Sequence, residues 1–141
     1  MEEVTAEYLV ADLIEPVELR VRPVVTVAMK TDMGRVRENN EDKAEFYLPE
    51  DQGVLARRGQ VFVVCDGMGG HEAGQIASEL ALKTFVDVYL HHPSQETEAA
   101  LQAAAAAANR FVLDVGRTVP SRRGIGTTLG ALVLSPEQGF I

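Results

Sequence analysis

The 141-residue chain is long enough for one domain with a real core, and 46% apolar against 24% charged residues excludes an intrinsically disordered protein. A formal charge of −8 with no basic stripe excludes non-specific nucleic-acid binding. The single cysteine, Cys65, excludes an internal disulfide and fits a reducing compartment.

Residues 1–23 read as an acidic lead-in or linker, with Glu2, Glu3, Glu7, Asp12, Glu15 and Glu18 among scattered aliphatics. Residues 1–15 lack the basic start of a secretory signal, and no apolar run is long enough to cross a bilayer, so a cytoplasmic location is expected. Val24–Met29 is β-branched and predicts a first strand, and Lys43–Leu48 a second. Pro49–Gly59 has the composition of a loop. The apolar run 61–65 predicts a buried strand that delivers Asp66 into the glycines 67, 69, 70 and 74. From Ala73 the period changes to that of an amphipathic helix, which His91-His92-Pro93 closes, with Glu79 and Lys83 paired on its outer face. Ser94 is placed to cap a second helix, with Glu96 and Glu98 in its first turn and a stripe through Leu101, Ala104, Ala108 and Val112. Val119–Gly126 reads as a loop, Thr127–Leu134 as a fourth strand and Gly139–Ile141 as the start of a fifth. The order β-β-β-α-α-β predicts an α+β fold with helices on a largely antiparallel sheet.

Three clusters could carry chemistry. Arg37 stands beside Glu41 and Asp42; a guanidinium suits bidentate capture of phosphate, and adjacent carboxylates suit hard cations or their waters. Alone, this run reads first as a solvated charged loop. Asp66-Gly67 at a strand end offers a carboxylate and an open backbone carbonyl to a metal, or simply a turn. Gly124–Gly130, with Thr127 and Thr128, reads as a structural lead into a strand. His71 is a candidate ligand or proton donor, and Cys65 a small core residue. A nucleotide-binding reading of the glycines fails, because no Lys-Ser/Thr follows them and their spacing is wrong for a dinucleotide fingerprint.

In this order the stretches 31–42 (TDMGRVRENNED), 64–74 (VCDGMGGHEAG) and Gly126-Thr-Thr128 resemble the bacterial form of the protein phosphatase 2C family, the metal-dependent serine/threonine phosphatases. The resemblance runs from about Val24 to the end and implies an N-terminal half of a four-layer α-β-β-α sandwich. It implies that Arg37 binds the substrate phosphate and that Asp66 bridges two manganese or magnesium ions. The Gly67 carbonyl would complete one ion's shell, and Glu41 and Asp42 would hold metal-bound waters. The activity implied is hydrolysis of phosphoserine and phosphothreonine in proteins by a metal-activated water, with His71 as candidate general acid and kinase-phosphorylated proteins as substrates. The family's later Gly-Asp-Ser-Arg, Asp-Gly and Asp-Asn motifs do not occur in the chain. The chain is therefore expected to hold at best half of the ligands, and residues 1–141 alone to have little activity. The alternative is a non-catalytic module that binds phosphoproteins or a partner chain.

Overall fold

The computed structural model describes residues 25–69, 72–136 and 138–141. The expected lead-in 1–23 and His71 lie outside the described residues. The elements are β1 (Asp42–Tyr47), α1 (Gln52–Arg58), β2 (Gln60–Met68), α2 (Glu72–His91), α3 (Thr97–Thr118), a 3-10 turn (Pro120–Arg122), β3 (Gly126–Thr127), β4 (Gly130–Leu134) and β5 (Gly139–Phe140).

β2 is the axis of the sheet. It pairs antiparallel with β1 on one side and with β3 and then β4 on the other, and β5 extends the sheet beyond β4. Its alternation sends Val61, Val63 and Cys65 to one face, where they are buried, while Phe62, Val64 and Asp66 face the other way. The buried face meets Ala77, Ala81, Phe85 and Tyr89 of α2. Those residues recur at helical spacing, so one stripe of α2 seals the sheet. Ala100, Ala104 and Ala108 of α3 are buried in the same core, and side chains this small let the two helices approach closely. The chain is thus α+β, and the described residues form an antiparallel sheet and the α2–α3 helix pair, two layers of the expected four.

The opposite face of the sheet is apolar and, among the described residues, uncovered. Val64 is 59% exposed, and Val27, Met29, Phe46, Phe62 and Leu132 line a shallow groove of about 380 Å³ there. Among the described residues no helix is long and apolar enough to cross a membrane.

Several sequence expectations are corrected. Residues 25–29 of the predicted first strand carry no strand pairing, because β-branched propensity makes a strand only where a neighbour accepts its hydrogen bonds. Within the predicted loop 49–59 lies helix α1, started by the Asp51 side chain accepting from the Val54 N–H at 2.8 Å. The observed order is therefore β-α-β-α-α-β-β-β, not β-β-β-α-α-β. β2 continues past Cys65 through Asp66, which pairs with Asp42 of β1, to Gly67 and Met68, which pair with β3. The predicted strand 127–134 is split into β3 and β4. α3 begins at Thr97 rather than behind Ser94, whose hydroxyl instead accepts from the Glu96 N–H. The Glu79–Lys83 pair forms as expected on the exposed face of α2.

Candidate active site

The end of the sheet where β1 begins and β2 turns toward α2 gathers most of the sequence-selected residues. Asp42 and Asp66 are directly opposed across the β1–β2 ladder, and both are exposed. Two carboxylates facing each other on neighbouring strands repel, and a bound cation would relieve that. The Asp66 backbone is clamped from the other side. Its N–H donates to the Thr128 hydroxyl at 3.0 Å, and its carbonyl accepts from the Thr128 N–H at 2.8 Å and the Thr127 hydroxyl at 3.1 Å. The two threonines, read from sequence as a structural lead, are positioning residues for Asp66. Only strand pairing reveals this, since they lie sixty residues further along the chain.

Glu41 joins the strand end to the helix. Its carbonyl accepts from the Gly67 N–H at 3.1 Å, and its carboxyl group lies against Gly74 in the first turn of α2. A helix N-terminus favours negative charge there. The Arg37 guanidinium reaches Glu41 Oε2 at 3.5 Å while remaining 69% exposed, against 13% for Glu41. A pair this open adds little stability. It does leave the guanidinium anchored at one end and accessible at the other. Asp42 is set by a short polar chain: its N–H donates to Asn40 Oδ1 at 3.0 Å, and Asn40 Nδ2 donates to the Thr31 hydroxyl at 2.8 Å.

Gly67 is needed for packing. A Cβ built on it would overlap the Gly74 carbonyl oxygen and lie 2.6 Å from the carbon of that group. The glycines at 67 and 74 thus allow strand, helix and the Glu41 segment to meet at one point.

The donors present are hard oxygen donors, which suit manganese or magnesium. Among the described residues, no three Asp, Glu, His or Cys side chains come within common ligating reach. The opposed Asp42–Asp66 pair fits part of a metal centre. Arg37, Glu41, Asp42, Asp66 and Gly67 are brought together.

Cys65, next to Asp66, points the other way into the core and is 3% exposed. Burial pushes its thiol from 9.0 up to about 11, a shift that a hydrogen bond with Thr127 reduces. Because the folded value lies above the unfolded one, its contribution to stability is complete below about pH 9 and is lost as pH rises toward 11. The urea midpoint should therefore fall more steeply over that window in the parent than in Cys65→Ala. The folded chain should also resist thiol labelling at pH 8; rapid labelling without unfolding would contradict the buried position.

No protein-family model matches the chain. Over 116 residues it is 31% identical to "Serine/threonine phosphatase stp" of Listeria innocua, an alignment covering 79% of this chain and 44% of that protein. Among solved structures it resembles the PPM Ser-Thr phosphatase MsPP from Mycobacterium smegmatis in complex with cacodylate. That match has a TM-score of 0.60 and 32% identity, covering 82% of this chain and 42% of the other. It also resembles the catalytic domain of the serine/threonine protein phosphatase PstP in complex with two manganese ions. There the TM-score is 0.59 and the identity 33%, over 75% and 41% of the respective chains. The chain spans less than half the length of the relatives it matches.

Proposed function

The chain belongs to the protein phosphatase 2C, or PPM, family of serine/threonine phosphatases, and from that membership we propose that residues 24–141 are the N-terminal half of a domain that hydrolyses phosphoserine and phosphothreonine in proteins. The observation that carries this reading is the opposed pair Asp42–Asp66 beside an anchored but accessible Arg37. Arg37 would hold and orient the phosphate through its free nitrogens. Asp66 and the Gly67 carbonyl, with Glu41 and Asp42 acting through water, would hold two manganese or magnesium ions. Such ions supply Lewis-acid charge and make a water nucleophilic near neutral pH. Thr127 and Thr128 would keep the Asp66 backbone in register, so that its carboxylate does not drift from the β1 end. His71 would give a proton to the departing serine or threonine oxygen.

The apolar sheet face is the surface that the remaining length of such a domain would cover. Isolated residues 1–141 would then hydrolyse phosphopeptides poorly, and robust manganese-dependent turnover by this chain would refute that half of the proposal. Substrates would be proteins phosphorylated by serine/threonine kinases, in the reducing environment that the free, buried Cys65 suits.

Calorimetric manganese titration of the chain beside Asp66→Asn tests the site. The parent is expected to bind manganese, and the variant to lose most of that binding. Without metal, Asp66→Asn should be the more stable protein by roughly 0.5 kcal/mol, because it removes a like-charge cross-strand pair. Equal binding by both proteins would sink the assignment.

A further inference from the structure

A polar cleft of about 630 Å³ opens beside the Asp66 end of the sheet. It is lined by Glu38 and Asn39, which directly follow Arg37, by Gly69 and by Glu72 at the start of α2, and by Ser121 and Arg122 of the 3-10 turn. Three segments distant in sequence therefore meet around a space lined by the two residues that follow Arg37.

Arg122 is the cation of this cleft, and it is half-buried. Its backbone is used fully: the N–H donates to the Val119 carbonyl at 2.9 Å, and the carbonyl accepts from the Ile125 N–H at 3.4 Å. Among the described residues its guanidinium has no ion pair or side-chain hydrogen bond. Glu38 and Glu72 line the same cleft, yet neither forms an ion pair with it. A half-buried guanidinium has lost part of its hydration, so an anionic group entering the cleft gains more from it than from an arginine in open water.

We propose that this cleft receives the residues flanking the phosphorylated serine or threonine and that Arg122 pairs there with an acidic side chain, making it a specificity-determining residue. The inference rests on the phosphatase reading of the neighbouring site.

The test uses the 141-residue chain with manganese and fluorescently labelled phosphothreonine peptides that carry either Asp or Lys at the two positions on each side. Anisotropy titration should show the Asp peptide binding about tenfold more tightly than the Lys peptide. Arg122→Glu should remove or reverse that preference, while Arg122→Lys should keep part of it. Circular dichroism and manganese binding should be unchanged in both variants, since among the described residues the Arg122 side chain makes no hydrogen bond or ion pair with Asp66 or with the threonines that hold it. No preference in the parent, or the same preference in Arg122→Glu, overturns the assignment of Arg122; so does failure of either phosphopeptide to bind. Manganese binding that depends on Asp66 but is accompanied by no flank preference sinks the cleft alone. Manganese binding independent of Asp66 sinks the phosphatase site itself.

Discussion

Gly67→Ala is expected to destabilise the fold severely. The added methyl would overlap the Gly74 carbonyl oxygen, lie 2.6 Å from the Gly74 carbonyl carbon and 2.9 Å from the Glu41 carbonyl oxygen. All three are backbone atoms, in the first turn of α2 and beside β1, so no side-chain rotation can make room. Overpacking that must move backbone lies at the upper end of the usual range, about 3 kcal/mol or more. For a domain of this size that is a large share of the total stability. Gly74→Ala is the useful contrast. There the methyl would meet the Glu41 carboxyl group, 2.7 Å from Cδ, which is the movable end of a side chain. That variant should fold with a loss of about 1 kcal/mol and with Glu41 displaced from its place beside Arg37. Circular dichroism and urea unfolding distinguish them. A Gly67→Ala melting point within about 2 °C of the parent would show that the strand and helix do not meet at this glycine.

Arg58→Ala should be nearly as damaging, at a position remote from the site. Arg58 is 1% exposed, and its head group closes the C-terminal end of α2. Nε donates to the Leu90 carbonyl at 3.4 Å, and Nη2 donates to the carbonyls of His92 and of Ser94, the latter at 2.9 Å. The guanidinium lies 5.5 Å from the centre of the Tyr89 ring, and the Tyr89 hydroxyl donates back to the Arg58 carbonyl at 2.8 Å. One side chain therefore satisfies carbonyls that a helix end leaves open, with positive charge at the negative end of the helix. Truncation leaves those part-buried carbonyls without that donor and opens a cavity against Tyr89. Hydrogen bonds from a charged donor contribute about 1.5–3 kcal/mol each and do not add fully, so a loss of roughly 3–4 kcal/mol is expected. Arg58→Met should recover little of it, because packing returns but the donors do not. Arg58→Lys should fall between, having charge without the planar fork. The urea midpoint should drop by on the order of 1–2 M in Arg58→Ala. An unchanged midpoint would remove this arginine from the account of how α1 and α2 are joined.

These two positions differ in how far the amino-acid order announces them. Gly67 stands in a motif where a strand, a carboxylate and a run of glycines follow one another, and each element of that pattern is local. The apolar run, the change to helical spacing after Ala73 and the alanine stripe of α3 are likewise visible as periods along the chain. Arg58 sits in a segment with the composition of a loop, QGVLARR, whose helix carries too few turns to show a period. What makes α1 a helix end and Arg58 a core residue is a set of carbonyls more than thirty residues later. Val25–Met29 gives the opposite error, since it has strand composition and no strand partner.

The same division holds for the candidate site. Sequence by itself determined the residue types, Arg37, Glu41, Asp42, Asp66 and Gly67, and through their spacing the family resemblance, because chemistry at a strand end is written in contiguous residues. Only the tertiary structure decided that Asp42 opposes Asp66, that Thr127 and Thr128 clamp the Asp66 backbone, that Gly67 is required by the close approach of Gly74, and that Arg122 faces a cleft beside Glu38. Each of these is a relation between segments far apart in the chain. Strand register and helix approach set such relations through backbone hydrogen bonds and steric contact, and neither leaves a periodic trace in the order of the residues.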